Sequence, residues 1–373
     1  MRFVLFYHSL ISDWNHGNAH FLRGVARELI AAGHEVAIYE PTDGWSLQNL
    51  LREHGAHAAE SFRRAFPGLQ STFYDLETLD LDRALDGADV VLAHEWNSPL
   101  LIERLNRKRA AGGQFRLLFH DTHHRGVTKA RDMAAYDLSA FDGVLAFGEV
   151  IRQLYVRNGW AAQTWTWHEA ADVTLFKPIR ARPVGDLVWI GNWGDRERSA
   201  ELAEFLVEPA RNLGLRTSVY GVRYPQTAKR VLAGAGIEYH GWLPNYRAPA
   251  VFSRFPVTIH VPRRPYVRRL PGIPTIRVFE ALACGIPLIS APWDDAERLF
   301  GPADFLRAAN GEEMQRQLRR VLADRDLRRE LARNGLRTIQ ARHTCAHRVR
   351  ELLAICTSIG AAHSGRRPAI VAA

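Results

Sequence analysis

Several features that organise other proteins are scarce or missing here. The three cysteines, Cys284, Cys345 and Cys356, have neither the number nor the spacing of a disulfide framework or a zinc knuckle, which fits a reducing cytoplasm. No apolar run approaches membrane length. The first, Phe3 to Tyr7, gives way to His8 and Ser9 and is too short for a signal-peptide core. The loop after that run has neither the glycine fingerprint of a dinucleotide site nor a Walker lysine, which argues against a nicotinamide dehydrogenase. No helix-turn-helix, zinc finger or basic-aromatic RNA-recognition pattern is visible, so nucleic acid enters only as an acceptor.

What is present is a globular composition. At 373 residues and 47% hydrophobic, the chain is long enough for two domains, each with its own core. A formal charge of +9 favours anions: nucleotide phosphates, lipid head groups or nucleic acid. Part of the excess, Arg316, Arg319, Arg320, Arg325, Arg328, Arg329 and Arg333, reads as a solvated helical face, with peripheral association with anionic surfaces as the alternative.

The chain alternates short apolar strands with amphipathic helices. Phe3–Tyr7, a helix carrying Phe21, Val25 and Leu29 on one face, and Val36–Tyr39 form a βαβ unit, and the theme recurs at Val90–Ala93, Arg116–Phe119 and Val144–Phe147. It restarts at Asp186–Ile190, with a helix over Ser199–Leu213 and strands at Thr217–Tyr220, Val257–Val261 and Pro287–Ser290. The expected class is α/β, with two Rossmann-like doubly wound domains facing a central cleft. Residues 1–170 form the first and 186–342 the second, joined by a proline-bearing linker, 171–185. A helix over 343–357 follows, and a Gly/Ala-rich tail, 358–373, is expected to fray.

Ligands of such sheets bind beyond the carboxyl ends of the strands, so the loops there are the places to look. After the first strand stand Asn15, His16, Gly17 and Asn18, where the glycine lets backbone approach a ligand, touch an acceptor or only turn the chain. His94 and Glu95 follow the third strand, and His120-Asp121-Thr122-His123-His124-Arg125 the fourth. The spacing does not suit a metal. His120, first after the apolar run, reads as a hydroxyl partner or proton handler at the cleft, against a structural loop histidine. In the second half Gly191, Asn192, Trp193, Arg196 and Arg198 offer close backbone and two guanidinium groups for a diphosphate, the alternative being a surface turn with Asp195 and Glu197 paired to the arginines. Arg263 lies in a further basic loop.

The densest signal is Leu270 to Ser290. Thr275 follows a Pro-Gly-Ile-Pro turn and is placed to cap a helix with its hydroxyl, and Gly285 to end it. Ile276, Phe279 and Ala283 share one face, with Glu280 at its edge as a half-buried charge. Its partner is either Arg277 or Arg298, or the vicinal hydroxyls of a ligand at the helix N-terminus.

Four stretches carry a family resemblance: Gly24 to Val36, Phe141 to Phe147, the crossover His168 to Pro178, and above all Pro274-Thr-Ile-Arg-Val-Phe-Glu-Ala-Leu-Ala-Cys-Gly285. In these the chain resembles a GT-B glycosyltransferase of the CgeB-like (spore-maturation type) group, similar to the large retaining nucleotide-sugar family. The resemblance implies a nucleotide diphosphate sugar as co-substrate; no other cofactor and no metal is expected, since the arginines and the helix dipole can stabilise the departing diphosphate. It implies a donor held mainly by the second domain, an acceptor by the first, and a last helix crossing back. Carried over by position, Glu280 binds ribose, Gly272, Thr275, Ile276 and Arg277 face diphosphate and sugar, Gly191 to Arg198 close on the phosphates, and His120 with Asp121 lies at the transferred sugar. The acceptor side takes Asn15, His16, Gly17, Asn18, His94, Glu95 and His123. The acceptor stays open among polysaccharide, lipid-linked intermediate, protein, small molecule and modified DNA. An epimerase or hydrolase on the same fold, or a non-catalytic subunit, are the rival readings. The larger family has a second glutamate about two helical turns before the ribose-binding one; Gly272 stands at that position here.

Overall fold

In a computed structural model of the chain, which describes residues 1–194 and 196–361, the strands assemble into two separate sheets. The first comprises β1 (Arg2–Phe6), β2 (Glu35–Pro41), β3 (Ser71–Tyr74), β4 (Val90–His94), β5 (Arg116–Asp121), β6 (Gly143–Ala146) and β7 (Thr164–Thr166), in the order β3-β2-β1-β4-β5-β6-β7. The second comprises β8 (Leu187–Ile190), β9 (Thr217–Tyr220), β10 (Glu238–Tyr239), β11 (Thr258–His260), β12 (Leu288–Ser290) and β13 (Leu306–Arg307), in the order β10-β9-β8-β11-β12-β13. All pairings are parallel. Strand order reverses between β1 and β4 and again between β8 and β11, which splays the loops there and opens a crevice at each sheet.

The strands read as continuous apolar runs because both faces are covered. Phe3, Leu5 and Tyr7 pack with Phe21, Val25 and Leu29 of the Ala19–Ala31 helix, while Val4 and Phe6 pack on the other face with Val91, Leu117 and Phe119. The first of these clusters continues through Trp167 and Phe176 into Val188, Ile190 and Phe279 of the second half.

Two crossings join the halves. The chain leaves β7 through Trp167, whose indole N–H donates to the Arg348 carbonyl (2.9 Å), and Ala171 pairs with Thr344 at the start of the Cys345–Ser358 helix. That helix packs on the Ala19–Ala31 helix, and a Cβ on Gly24 would lie 2.4 Å from the Cys345 sulfur. The helix expected over Ser199–Leu213 is interrupted by a wide turn, Ala203–Val207, because Pro209 has no N–H for the carbonyl one turn back. Of the tail expected to fray, Ser358 closes the last helix and residues 362–373 lie outside the described residues.

Candidate active site

The crevice of the second sheet holds a small cavity of about 160 Å³, floored by Ile190 at the end of β8 and Gly191 after it, Gly221 and Val222 after β9, and Thr275 to Arg277. Glu280 lies directly behind it, one turn into the Ile276–Ala283 helix. It is fully buried, at 0% exposure, and not half-buried as expected, because the first half closes over it. Oε2 accepts from Arg277, and Oε1 accepts from Asn245 Nδ2 (2.6 Å) and lies 3.2 Å from Nδ1 of His20. The backbone N–H of Asp172 donates to Nε2 of His20 (2.8 Å), so the ring proton sits on Nδ1, near the carboxylate but not aligned for a hydrogen bond. Burial pushes the carboxyl up, but Arg277, then His20 and Asn245, outweigh it and hold Glu280 below the usual range. Arg298 takes no part; its carbonyl accepts from Arg342 (3.3 Å). Thr275 is the residue before the helix, with extended backbone, but its hydroxyl makes no capping bond. It lines the cavity instead.

Asp13 fastens the first half to this site. Its carboxylate accepts from Arg23 (2.9 Å), from the Trp242 indole (2.9 Å) and from the backbone N–H of Asn245 (3.0 Å). Asn192 reaches back to Asn15, which holds a left-handed φ of 48°.

Arg198 is buried and makes no ion pair among the described residues; Asp195, its alternative partner, lies outside them. Its donors go to the carbonyls of Val261 (3.1 Å) and Asn192, its plane stacks on Trp189, and Nε has no partner. Burial, then the charge of Arg263, brings it down to about 9. A cation so placed at a cavity wall suits an incoming anion. Arg196, the other arginine expected at the diphosphate, lines a neighbouring groove with Trp193 and neither of the two cavities. Arg263 pairs with Glu197 (3.1 Å) at the edge of the large cavity.

That second cavity, about 810 Å³, lies between the halves and shares Asn192, Arg198, Thr275 and Ile276 with the small one. Asn15, His16, Gly17, Asn18 and His123, expected on the acceptor side, line it, but the first three line the small cavity as well; both amide atoms of Asn18 are buried without a partner among the described residues. Trp45 and Trp96, 45% and 40% exposed, form the opposite wall with Tyr74.

Four expected site residues lie beneath this wall. β5 runs on through His120 and Asp121, which puts both in the sheet interior at 0% exposure. His120 packs on Trp167 and Phe21, its two ring nitrogens have no partner, and burial pushes it down to about 3. Asp121 accepts from Tyr155 (2.9 Å) and from the backbone N–H of His123 (3.1 Å), and burial raises it to about 6. His94 contacts Thr122 (2.9 Å), and Glu95 is locked to Arg125 (3.0 Å) and to the Thr122 N–H (3.0 Å). None of the four lines either cavity. Gly272, expected at the diphosphate, also faces elsewhere. Its φ is 86°, and a Cβ there would sit 2.5 Å from Glu297, whose carboxylate accepts from the Glu149 N–H (2.9 Å) and meets His168 (2.7 Å).

The structure adds residues that the sequence reading did not single out: His20, Asp13 and Asn245 around Glu280, Trp45 and Trp96 on the acceptor-side wall, and Glu169 on the floor of the large cavity. Their signals are weak alone, since each needs the two halves assembled to become part of a site.

Residues 196–354 match the family model described as "Glycosyl transferase-like". No curated protein matches the chain. Solved structures share the whole architecture. An alpha-glucosyltransferase in complex with UDP-glucose and DNA containing an abasic site is 12% identical, with 96% of this chain and 99% of that one covered and a TM-score of 0.69. HepE from Anabaena, in complex with UDP and glucose, is 12% identical with 96% and 100% covered and a TM-score of 0.65. Sucrose-phosphate synthase from Thermosynechococcus elongatus is 16% identical with 96% and 99% covered and a TM-score of 0.64. The fold is thus GT-B, and the second half carries a glycosyltransferase family domain. No described helix is long and apolar enough to cross a membrane.

Proposed function

We propose that the protein transfers a glycosyl group from a nucleoside diphosphate sugar to an acceptor hydroxyl, and that it stands with the CgeB-like group of GT-B enzymes. The observation that carries this is the pairing, at one small cavity, of a carboxylate held ionised behind the wall (Glu280) with a buried guanidinium that makes no ion pair among the described residues (Arg198). A nucleoside seated there meets Glu280 through its ribose hydroxyls once the side chain gives up Asn245 or His20. Its diphosphate lies between Arg198, Arg277 and the N-terminus of the Ile276–Ala283 helix. Charge building on the departing diphosphate is met by those groups, preorganised and largely shielded from water, without a metal ion. Uridine is the base to try first, because structures of the same fold are in complex with UDP or UDP-glucose.

The acceptor enters over the wall of Trp45, Trp96, Asn18 and His123. Buried free thiols at Cys284, Cys345 and Cys356 suit a cytoplasmic enzyme.

Isothermal calorimetry with uridine, guanosine and thymidine diphosphates tests the reading. One of them should bind without added divalent metal, and Arg198→Met should weaken that binding at least tenfold. A chain that binds none of the three is not a nucleotide-sugar transferase.

A further inference from the structure

Glu169 lies on the first crossover, held in place from both sides. Before it, the Trp167 indole is anchored to Arg348; after it, Ala171 pairs with Thr344 and the Asp172 N–H donates to His20. The residue is only 7% exposed, yet it lines the large cavity. Among the described residues its carboxyl has no hydrogen bond or ion pair. Burying a carboxyl without a partner is costly, and a purely structural role gives this one nothing to hold.

The route of a bound donor leads to it. Asn192, Arg198, Thr275 and Ile276 line both cavities, so a nucleotide in the small cavity with its diphosphate at Arg198 sends whatever follows the second phosphate into the large one. We propose that Glu169 recognises the transferred sugar, with its carboxyl hydrogen-bonded to the sugar's hydroxyls. The inference rests on the nucleotide-sugar reading and adds to it the residue that reads the sugar.

The chemistry of the surroundings suits this role. Glu280 and Arg277 face Glu169 from the Ile276–Ala283 helix and Tyr266 from the Arg264–Arg269 helix, while Arg263, His123, His124 and Lys129 line the same cavity. Burial, then the charge of Glu280, raises the Glu169 carboxyl to about 8 against the pull of Arg277. At neutral pH the group is therefore mostly protonated. It offers both an O–H donor and an acceptor, as a sugar hydroxyl does, and it does not repel the diphosphate beside it.

The test is calorimetry of UDP and UDP-glucose on the full chain, its Glu169→Ala variant and its Glu169→Gln variant, at pH 6.5 and 9, with the guanosine or thymidine pair replacing uridine if those bind instead. At pH 6.5, Glu169→Ala should lose about tenfold in affinity for UDP-glucose while its affinity for UDP stays within twofold. Glu169→Gln, which keeps a donor and an acceptor, should lose less. The sugar-dependent part of the affinity should fall from pH 6.5 to 9 in the wild type and stay flat in the Gln variant. Equal losses for UDP and UDP-glucose, or none for either, overturn the inference but leave the donor reading standing. A wild-type chain that binds no nucleoside diphosphate overturns both.

Discussion

Nδ1 of His20, on the Ala19–Ala31 helix of the first half, lies 3.2 Å from Oε1 of Glu280, on the Ile276–Ala283 helix of the second. The Asp172 N–H occupies Nε2, which leaves the imidazole proton on Nδ1, on the side of the carboxylate. One side chain thus ties both halves and the crossover to the group proposed to hold ribose. Glu280→Ala should raise the dissociation constant for the nucleotide ten- to a hundredfold, about 1.5–3 kcal/mol for hydrogen bonds to a charged group. His20→Ala should cost less, roughly threefold to tenfold, because it touches Glu280 and not the ligand. Calorimetry beside thermal melts separates binding from folding. Unchanged nucleotide affinity in Glu280→Ala would remove the ribose assignment.

The glutamate that the larger family has at position 272 cannot simply be restored. Gly272 has φ 86°, and its Cβ direction is filled by Glu297. Gly272→Glu should lower stability by about 2–4 kcal/mol, from left-handed backbone and overpacking together. It should not raise turnover. Gly272→Ala carries the backbone cost and the Cβ contact alone and should fall between the two, as read by thermal or urea melts.

Trp96 lines the large cavity at 40% exposure, with the Arg125 guanidinium 4.5 Å from its ring centroid. It touches none of the groups assigned to the nucleotide. Trp96→Ala should therefore raise the KM for an acceptor at least tenfold and leave nucleotide affinity within twofold. Initial rates against acceptor concentration, with the donor saturating, read this out. A matching loss for the nucleotide would move Trp96 to the donor side.

Glu169 also makes a prediction about stability. Its folded pKa, about 8, stands above its ordinary value of 4.5. A group raised in this way contributes stability that is complete below the unfolded pKa and is lost as pH rises through the folded one. Between pH 5 and 8 the wild type should lose stability relative to Glu169→Gln, by up to ~1.4 kcal/mol per pH unit and less as the site relaxes or admits water. Glu95 and Asp121 titrate in both proteins, so the difference between their melts isolates Glu169. A difference that does not vary with pH would mean that Glu169 is ionised throughout.

Much was legible in the chain because it rests on local rules. The apolar runs Phe3–Tyr7, Val90–Ala93 and Asp186–Ile190 became strands, since a parallel sheet covered on both faces demands continuous apolar residues. Thr275 to Gly285 announced a helix at a strand end, and Asn15 to Asn18 a loop at the cleft. The short strands β3, β7, β10 and β13 left no such mark, because edge positions bury little and need no apolar run.

Depth and assembly were decided only in three dimensions. That β5 continues two residues past Phe119, burying His120 and Asp121, follows from its pairing with β6, which no local pattern announces. Gly272 turns away because Glu297, 25 positions later, fills its side. Glu280 was recognisable from its own helix. Its burial, its contact with His20 and the opening of Glu169 into the cleft arise only when two sheets, distant in sequence, close on each other, since a residue's environment is set by what packs against it and not by its neighbours in the chain.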